Sequence, residues 1–331
     1  MTSFTRSMTR RSAALIVAGL TAAPLLAQTA YPTRTVRTVL PYSAGSGPDS
    51  VMRHVGDLIS KDWGQAVVVD NKPGANGWLA ISEVKRAKPD GYTLVVVDST
   101  HMTLQPHLYG EKLPFNPVHD FEPVAGLYNT GFFIVVKADS PWKSVADLIA
   151  AAKAKPGGVN YGTWGLGSVA HVGTAQFEAA SGIQMTHVPF KELPQLYTSV
   201  ANGEVDWAFG TAATVGPLYE AGKVRLLAYA AAKRLAGYEK IPTVSEAGGP
   251  AGLDVGTWVA IFAPKGTPAG IIERFQSGVG KALGQRAVLD RMAGFGFQPW
   301  NVGTAELTRT MATDTQRFEQ VVKSAKISLD N

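Results

Sequence analysis

The sequence of 331 residues contains no cysteine. This absence excludes structural disulfides, thiolate catalysis and cysteine-ligated metal centres, and it excludes the acylated cysteine that anchors a bacterial lipoprotein. Charged residues are also scarce, at 17%, whereas 45% of the residues are hydrophobic. A chain of this composition can bury a core, so a disordered or fibrous protein is excluded as well.

The first thirty residues have the pattern of an export signal. Three arginines are followed by an apolar run from Ala13 to Ala27 and then by small residues. The run is as long as a signal-peptide core and shorter than the roughly 20 residues that a membrane span requires. We therefore predict that residues 1–30 are a signal peptide, cleaved near residues 27–30, and that the protein is periplasmic. The pair Arg10–Arg11 leaves a twin-arginine export route open.

The formal charge of +5 and the pI near 9.2 raise the question of an anionic polymer as partner. Residues 1–30 hold three arginines and no acidic residue, so their removal lowers the charge from +5 to +2. The remaining basic residues form no stripe, and no alternation of basic and aromatic residues suggests a platform for nucleic acid. The sequence therefore predicts no nucleic-acid partner.

Strand and helix patterns alternate along the rest of the chain. The predicted strands are Val36–Leu40, Ala66–Val69, Tyr92–Val97, Val159–Tyr161, Met185–Val188, Val205–Phe209 and Val224–Ala228. The predicted helices are Asp49–Lys61, Trp78–Ala87, Ser144–Ala154 and Ser168–Ala180. This alternation is typical of βαβ units and indicates an α/β fold with mainly parallel sheets.

About 300 residues exceed what one core usually serves, so we expect two lobes. The apolar stretches Val124–Val136 and Leu253–Phe262 are suited to carry the chain from one lobe to the other and back. We assign residues 31–130 and 253–331 to lobe 1 and residues 131–252 to lobe 2, with a cleft between them.

Two glycine-rich loops each connect a predicted strand to a predicted helix: loop 1 (Pro41–Ser50) and loop 2 (Tyr161–Ser168). Backbone N–H groups at a helix N-terminus lack internal partners, and the helix dipole favours an anion there without a basic side chain. The candidate ligand-binding residues are Tyr42, Ser46, Gly47, Asp49, Thr163, Trp164, Gly165, Leu166, Gly167, Ser168, His171, Phe190 and Thr211. The alternative interpretation is that both loops are ordinary turns whose Ser or Asp side chains cap the helices.

Several of these residues have a second interpretation. Asp49 is suited to cap the helix that follows loop 1, or to bind a donor on a ligand. The aromatic residues Tyr42, Trp164 and Phe190 are suited to pack in a core or to line a cleft.

The residues give little support for a nucleotide site, a metal site or a catalytic site. The run Gly45-x-Gly47-x-x-Ser50 lacks the third glycine of a dinucleotide fingerprint, and no lysine completes a phosphate-binding loop. The six histidines, of which His101 and His107 are interpreted as cleft-edge or surface residues, show no metal-ligand spacing. Ser168 and His171 lie three residues apart, which is not a catalytic triad, and no nucleophile elbow is present. We therefore predict no cofactor, no metal and no catalytic residue, and keep a Ser/His hydrolase only as an alternative.

The order and spacing of many short motifs resemble the Bug-type periplasmic receptors of tripartite tricarboxylate transporters over residues 31–328. The matching segments are Tyr31-Pro32, Pro41-Tyr42-Ser43-Ala44-Gly45, residues 68–75 (VVDNKPGA), residues 89–94 (PDGYTL), Tyr161-Gly162, residues 187–191 (HVPFK), residues 203–206 (GEVD), residues 221–225 (AGKVR), residues 242–248 and residues 263–268 (APKGTP).

The resemblance implies a two-lobed periplasmic binding protein of the Venus-flytrap type, with two mixed sheets and a double-strand hinge. It implies a receptor without catalytic activity that delivers a small carboxylate to membrane transporter subunits, and we expect a monomer. In such receptors the two loops hold a ligand carboxylate, which agrees with the interpretation from the residues. A periplasmic ligand sensor for a signalling system is an alternative on the same fold.

Three departures from the family pattern concern the ligand. The usual second glycine of loop 1 is Ser46, the small and polar positions of loop 2 are Trp164 and Leu166, and the tyrosine common after the HVP segment is Phe190. These changes make the cleft more apolar or aromatic, so we predict a ligand with a flat or apolar body and a carboxylate at one or both ends, such as an aromatic dicarboxylate like terephthalate. A hydroxylated tricarboxylate such as citrate would leave polar groups unpaired, at about 1–3 kcal/mol each.

Overall fold

A computed structural model describes residues 1–2, 31–324 and 327 of the chain. The chain divides between Tyr31 and Pro32 into two units, and all elements below belong to the second. Apart from its first two residues, the predicted signal peptide lies outside the described residues, so the signal, its cleavage site and the twin-arginine route stay predictions. In the described part of the chain, no helix is long and apolar enough to cross a bilayer.

Strands and helices alternate as the sequence predicts. The strands are β1 (Val36–Leu40), β2 (Val67–Asn71), β3 (Thr93–Asp98), β4 (Phe121–Gly131), β5 (Phe133–Lys137), β6 (Asn160–Thr163), β7 (Thr186–Pro189), β8 (Trp207–Gly210), β9 (Val224–Tyr229), β10 (Gly256–Pro264) and β11 (Gln298–Pro299). The helices are α1 (Gly47–Trp63), α2 (Trp78–Lys85), α3 (Gln105–Tyr109), α4 (Val145–Ala154), α5 (Val169–Ser181), α6 (Leu193–Asn202), α7 (Ala212–Glu220), α8 (Ala269–Leu283), α9 (Arg286–Gly294) and α10 (Thr304–Ser324).

The strands form two mixed sheets. The first has the order β11-β4-β10-β3-β1-β2, in which β1 runs parallel to β2 and β3 while β10 is antiparallel to β3 and β4. The second has the order β7-β6-β8-β5-β9, with β6 parallel to β7 and β8 and with β5 antiparallel to β8 and β9. The predicted α/β, two-lobed fold with two mixed sheets is confirmed. The expectation of mainly parallel sheets is wrong, because β4, β5 and β10, which come from the apolar stretches that cross between the lobes, run antiparallel to their neighbours.

The apolar runs of the sequence are strands that are covered on both faces. Along β5, Ile134 and Val136 face a cluster around Trp207, whereas Phe133 and Val135 face a cluster around Tyr197. A strand buried on both faces reads as a continuous apolar run rather than as an alternation. The same holds in the first sheet, where Val95, Val96 and Val97 of β3 are fully buried.

Two segments cross between the sheets, as predicted, and hydrogen bonds tie them together. Phe132 separates β4 from β5, and Val255 precedes β10. The N–H of Phe132 donates to Val255 O at 3.2 Å, that of Val255 to Ala230 O at 2.9 Å, and that of Ala230 to Phe132 O at 2.8 Å. The double-strand hinge is therefore present, while the lobe boundaries at residues 130/131 and 252/253 stay a prediction.

Several elements were not predicted from the sequence. A π-helical turn (Thr100–Leu104) and α3 follow β3, and α6 and α7 occupy stretches for which no helix was predicted. Pro217 lies inside α7, where a proline usually interrupts a helix, so the sequence signal of α7 is weakened. The helix α3 is only five residues long, which is too short to show a helical period.

Candidate functional site

Loop 1 joins β1 to α1 and is held in place by a buried carboxylate. Asp49, which is 2% exposed, accepts a hydrogen bond from Gly45 N–H at 2.8 Å and bonds Arg53 and Asn71. Burial raises the pKa of Asp49, but the hydrogen bonds from Arg53, Gly45 and Asn71 hold it below its usual value. The prediction that Asp49 caps α1 is wrong, because Asp49 lies in the first turn and Ser46 is the N-cap residue.

Loop 1 retains donors without acceptors in the described part of the chain. The hydroxyl of Ser46 is buried and has no hydrogen-bond partner there. The N–H groups of Gly47 and Asp49, in the first turn of α1, likewise donate to no described acceptor. Gly45 has φ +81°, a conformation that lets the loop turn into the helix. These donors point to an anion that the helix dipole would also favour.

Loop 2 joins β6 to α5 and is built around Gly165, whose φ is +122°. The Thr163 hydroxyl accepts a hydrogen bond from Gly165 N–H at 3.2 Å. Ser168 caps α5, because its hydroxyl donates to Gly165 O at 2.8 Å and accepts from His171 N–H at 3.3 Å. The N–H groups of Val169 and Ala170, both on buried residues, donate to no acceptor in residues 31–324. Loop 2 therefore presents backbone donors, while the Ser168 hydroxyl is used in capping.

Two imidazoles lie against loop 2. Gly167 N–H donates to His171 Nδ1 at 3.3 Å, and His187 Nε2 is 2.6 Å from Thr163 Oγ1. The two rings are 4.7 Å apart. Burial lowers the pKa of His171, and burial together with His171 lowers that of His187 to about 4. His187 was absent from the predicted site residues; its sequence signal was only its place in the HVPF segment.

Aromatic side chains flank loop 2. Trp164 is half-buried and stacks on Phe132 of the crossing segment, with ring centroids 5.7 Å apart. The N–H of Phe190 donates to Thr163 O at 2.8 Å, and its ring packs against the cluster around Tyr197. Leu166 is also half-buried. The apolar residues predicted to shape the ligand preference thus lie beside the donors of loop 2.

Thr211, the last predicted residue, precedes α7 at the end of β8. Its N–H donates to the Thr214 hydroxyl at 3.1 Å. Because β6, β7 and β8 are parallel neighbours, loop 2, Phe190 and Thr211 lie at the same edge of the second sheet.

The segment Gly296–Phe297 contacts the starts of both α1 and α7. A Cβ atom at Gly47 would lie 2.6 Å from Phe297 Cζ, and one at Gly296 would lie 2.5 Å from Ala212 Cβ. Phe297 stacks on Tyr128 at 4.2 Å. This segment was not among the predicted site residues, because only the tertiary structure places residues 296–297 beside helices that begin at residues 47 and 212.

A buried network ends on loop 1. Tyr42 O–H donates to Asp98 Oδ2 at 3.0 Å, and His101 Nδ1 lies 2.8 Å from Asp98 Oδ1. Burial and the nearby Asp98 charge raise the pKa of Tyr42 well above its usual value. The interpretation of His101 as a surface residue is wrong, because His101 is 8% exposed and Gly77 packs closely against its ring. A place at the edge of the cleft stays a prediction.

Ser168 and His171 do not form a hydrolytic pair. The Ser168 hydroxyl bonds Gly165 O and His171 N–H rather than the His171 imidazole, so no base is in place to activate it. In the same residues, no cluster of three or more His, Asp or Glu side chains is suited to hold a metal ion.

Comparison with known proteins identifies the family of the chain. Residues 51–327 match the family described as tripartite tricarboxylate transporter family receptor. BugT of Bordetella pertussis is 29% identical over 314 residues, which cover 93% of this chain and 94% of BugT.

Two solved structures from Rhodopseudomonas palustris are similar over nearly their whole length. Rpa4515, solved with adipate, is 31% identical with a TM-score of 0.83 and covers 90% of this chain and 99% of its own. MatC, solved with malate, is 29% identical with a TM-score of 0.79 and covers 88% of this chain and 100% of its own. The resemblance inferred from the sequence motifs is confirmed.

Proposed function

Because the chain belongs to the tripartite tricarboxylate transporter receptor family, we propose that it is a periplasmic receptor that captures an aromatic dicarboxylate such as terephthalate. It delivers this ligand, as a monomer, to the membrane subunits of a transporter. The two lobes close over the ligand; lobe 1 comprises residues 31–130 and 253–331, and lobe 2 comprises residues 131–252. Ligand binding favours the closed form because both loops then contact the ligand.

The observation that carries the proposal is the pair of uncharged donor sets at the starts of α1 and α5. Gly47 and Asp49 in loop 1 and Val169 and Ala170 after loop 2 keep N–H groups without described acceptors. The helix dipoles make such groups suitable for carboxylate oxygens. Two donor sets suit a ligand with a carboxylate at each end.

The preference for an apolar body rests on the side chains around loop 2. Trp164, stacked on Phe132, and Phe190 offer mainly ring surface, with the indole N–H of Trp164 as the one donor of these two side chains. Adipate, which the similar Rpa4515 was solved with, has an apolar body between two carboxylates. Malate, which MatC was solved with, has a hydroxyl group and little apolar surface to cover these rings. We therefore rank terephthalate and adipate above malate and citrate.

The proposal is tested by thermal unfolding of the protein in the presence of single carboxylates. A ligand at a hundred times its Kd stabilises the native state by about 2.7 kcal/mol. We expect terephthalate to raise the melting temperature most, adipate less, and malate and citrate least. A clear preference for citrate or malate would contradict the aromatic specificity, and no shift with any carboxylate would contradict the receptor function. Release of product from ester substrates, lost in Ser168→Ala, would establish a hydrolase instead.

Trp164→Ala should weaken terephthalate binding about tenfold and change malate binding little. The indole supplies stacking energy of about 0.5–1.5 kcal/mol beyond its buried area. Trp142→Ala is the matched control, because Trp142 also packs partly buried against the cluster around Trp207 but lies before α4. Titration calorimetry measures both ligands, and an equal loss for terephthalate and malate would show that Trp164 does not select the ligand.

Ser46→Ala and Ser168→Ala should have different effects. The Ser46 hydroxyl has no partner in the described residues, so its removal should weaken carboxylate binding by about 0.5–3 kcal/mol and leave stability almost unchanged. The Ser168 hydroxyl caps α5, so its removal should cost about 0.5–2 kcal/mol of stability. Binding and urea unfolding of both variants check this, and unchanged binding in Ser46→Ala would return loop 1 to the capping interpretation.

A further inference from the structure

On the loop 2 side, the proposed carboxylate site has two imidazoles and no cationic side chain in the loop itself. On the loop 1 side, Arg53 is ion-paired with Asp49. Loop 2 contains no charged residue. His171, in the first turn of α5, and His187, on β7, pack ring to ring behind the loop at 4.7 Å. Both rings are only partly exposed. When a dianion binds beside loop 2, the rings of His171 and His187 are therefore the nearby groups that can take up a proton and become positively charged.

The hydrogen bonds distinguish the two histidines. His171 Nδ1 accepts from Gly167 N–H, so a proton on that nitrogen would oppose the N–H of loop 2. His187 Nε2 lies 2.6 Å from the Thr163 hydroxyl, whose oxygen is 3.2 Å from Gly165 O. A protonated His187 can donate to Thr163 Oγ1 while Thr163 donates to Gly165 O, so every bond of the loop is kept. His187 is thus the ring that can carry a proton without disturbing loop 2.

Within residues 31–324, no acidic side chain forms an ion pair or a hydrogen bond with His187 that would balance such a charge. The groups that face His187 are His171 on α5, Tyr161 on β6, whose ring stacks on it at 5.1 Å, and Thr163. Glu178 on α5 acts on Tyr161, and burial raises the pKa of Glu178 itself. The low pKa of His187, about 4, has burial as its main cause and His171 as the second.

We infer that His187, acting through Thr163, is the charge-compensating residue of the carboxylate site, so that the receptor takes up a proton when a dicarboxylate dianion binds. This inference rests on the proposed function. A carboxylate held at loop 2 favours the imidazolium, as an opposite charge nearby favours any charged group. By linkage, the affinity for the dianion rises as pH falls toward the value at which the free ring is itself protonated.

The direction and size of the pH effect on terephthalate binding follow from the neutral and the protonated state of His187. His187 is neutral in the free protein at pH 7, since its pKa is about 4. A bound dianion raises this pKa, so the bound state takes up a proton in a pH range where the free ring stays neutral, and Kd for terephthalate should fall about fourfold between pH 7.5 and pH 5.5. Carboxyl groups have pKa values near about 4, so terephthalate stays a dianion over this range.

The test is titration calorimetry with terephthalate at pH 6 in two buffers of different ionisation enthalpy. We expect uptake of a substantial fraction of a proton by the unsubstituted protein, and close to none by His187→Gln. His54→Gln is the matched control, because His54 is exposed on α1, and its proton uptake should match that of the unsubstituted protein. Equal uptake by His187→Gln and His54→Gln would overturn the inference.

A second measurement needs no variant, in case His187→Gln fails to fold. Nuclear magnetic resonance of isotope-labelled histidines should show the His187 ring titrating at a higher pH with terephthalate than without it. Terephthalate binding with no proton uptake and an unshifted His187 titration would overturn the inference and leave the receptor function standing. The absence of binding by terephthalate, adipate, malate and citrate alike would instead contradict the proposed function.

Discussion

Replacing Gly165 with alanine should weaken carboxylate binding about ten- to hundredfold. Gly165 has φ +122°, which an L residue with a side chain rarely adopts, and nothing lies within 4 Å of the position where its Cβ would be. The substitution therefore introduces backbone strain of about 1–3 kcal/mol rather than a steric clash. Loop 2 relieves this strain by changing its path, which displaces the donors at the start of α5. Each 1.4 kcal/mol of lost binding energy is a factor of ten in Kd.

Gly182→Ala provides the matched control for Gly165→Ala. Gly182 ends the same helix α5, has φ +63°, and also has open space around its missing Cβ. Its substitution should lower stability by about 1 kcal/mol and leave terephthalate binding unchanged. Titration calorimetry and urea unfolding measure the two quantities separately. If Gly165→Ala binds terephthalate as well as Gly182→Ala does, the conformation of loop 2 does not hold the ligand.

Asp98→Ala should lower the free energy of unfolding by about 3–5 kcal/mol, the usual cost of removing one partner from a buried charged network. The carboxylate accepts hydrogen bonds from Tyr42 O–H, Thr100 N–H and His101. Without it, all three groups are left inside the protein with no acceptor. Loop 1 also loses the anchor that holds Tyr42, so carboxylate binding should weaken together with stability.

The stabilising effect of Asp98 has a defined pH dependence. Burial raises its pKa, but the charge and hydrogen bond of His101 and the hydrogen bonds of Tyr42 and Thr100 together hold it below its usual value. The stabilisation is therefore complete above the unfolded-state pKa of about 3.9 and is lost as pH falls through the lower folded-state pKa. Urea unfolding at pH 7 and below pH 4 measures this.

Asp57→Ala, on the exposed side of α1, is the control and should change stability by less than about 0.5 kcal/mol. Equal midpoints for the two variants would show that the network is not stabilising.

The alternation of strands and helices could be predicted because each buried strand is a short apolar run that ends at a turn residue. Val36–Leu40 was predicted with its observed bounds, since Pro41 follows it directly. Loops 1 and 2 could be located for a related reason: glycines stand between a strand pattern and a helix pattern. The helix dipole then gave these loops a chemical meaning without any contact being known.

Contacts between distant parts of the chain could not be predicted. Tyr42 and Asp98 are 56 residues apart, and only the pairing of β1 with β3 brings the ends of these strands together. The contact between Phe297 and Gly47 has the same origin in tertiary structure. Asp49 was misassigned because a carboxylate at the third helical position can reach back to a loop N–H, as an N-cap side chain reaches forward.

The donors proposed to hold the carboxylate belong mainly to the backbone, which has a consequence for how specificity can change. Every residue except proline supplies an N–H, so substitution of Val169 or Ala170 leaves those donors in place as long as Gly165 preserves the path of loop 2. Trp164 and Phe190, in contrast, are proposed to contact the ligand through their side chains. Affinity for the carboxylate and choice of the ligand body are therefore separable properties, and a new ligand can be accommodated by exchanging a few surrounding side chains without rebuilding the anion site.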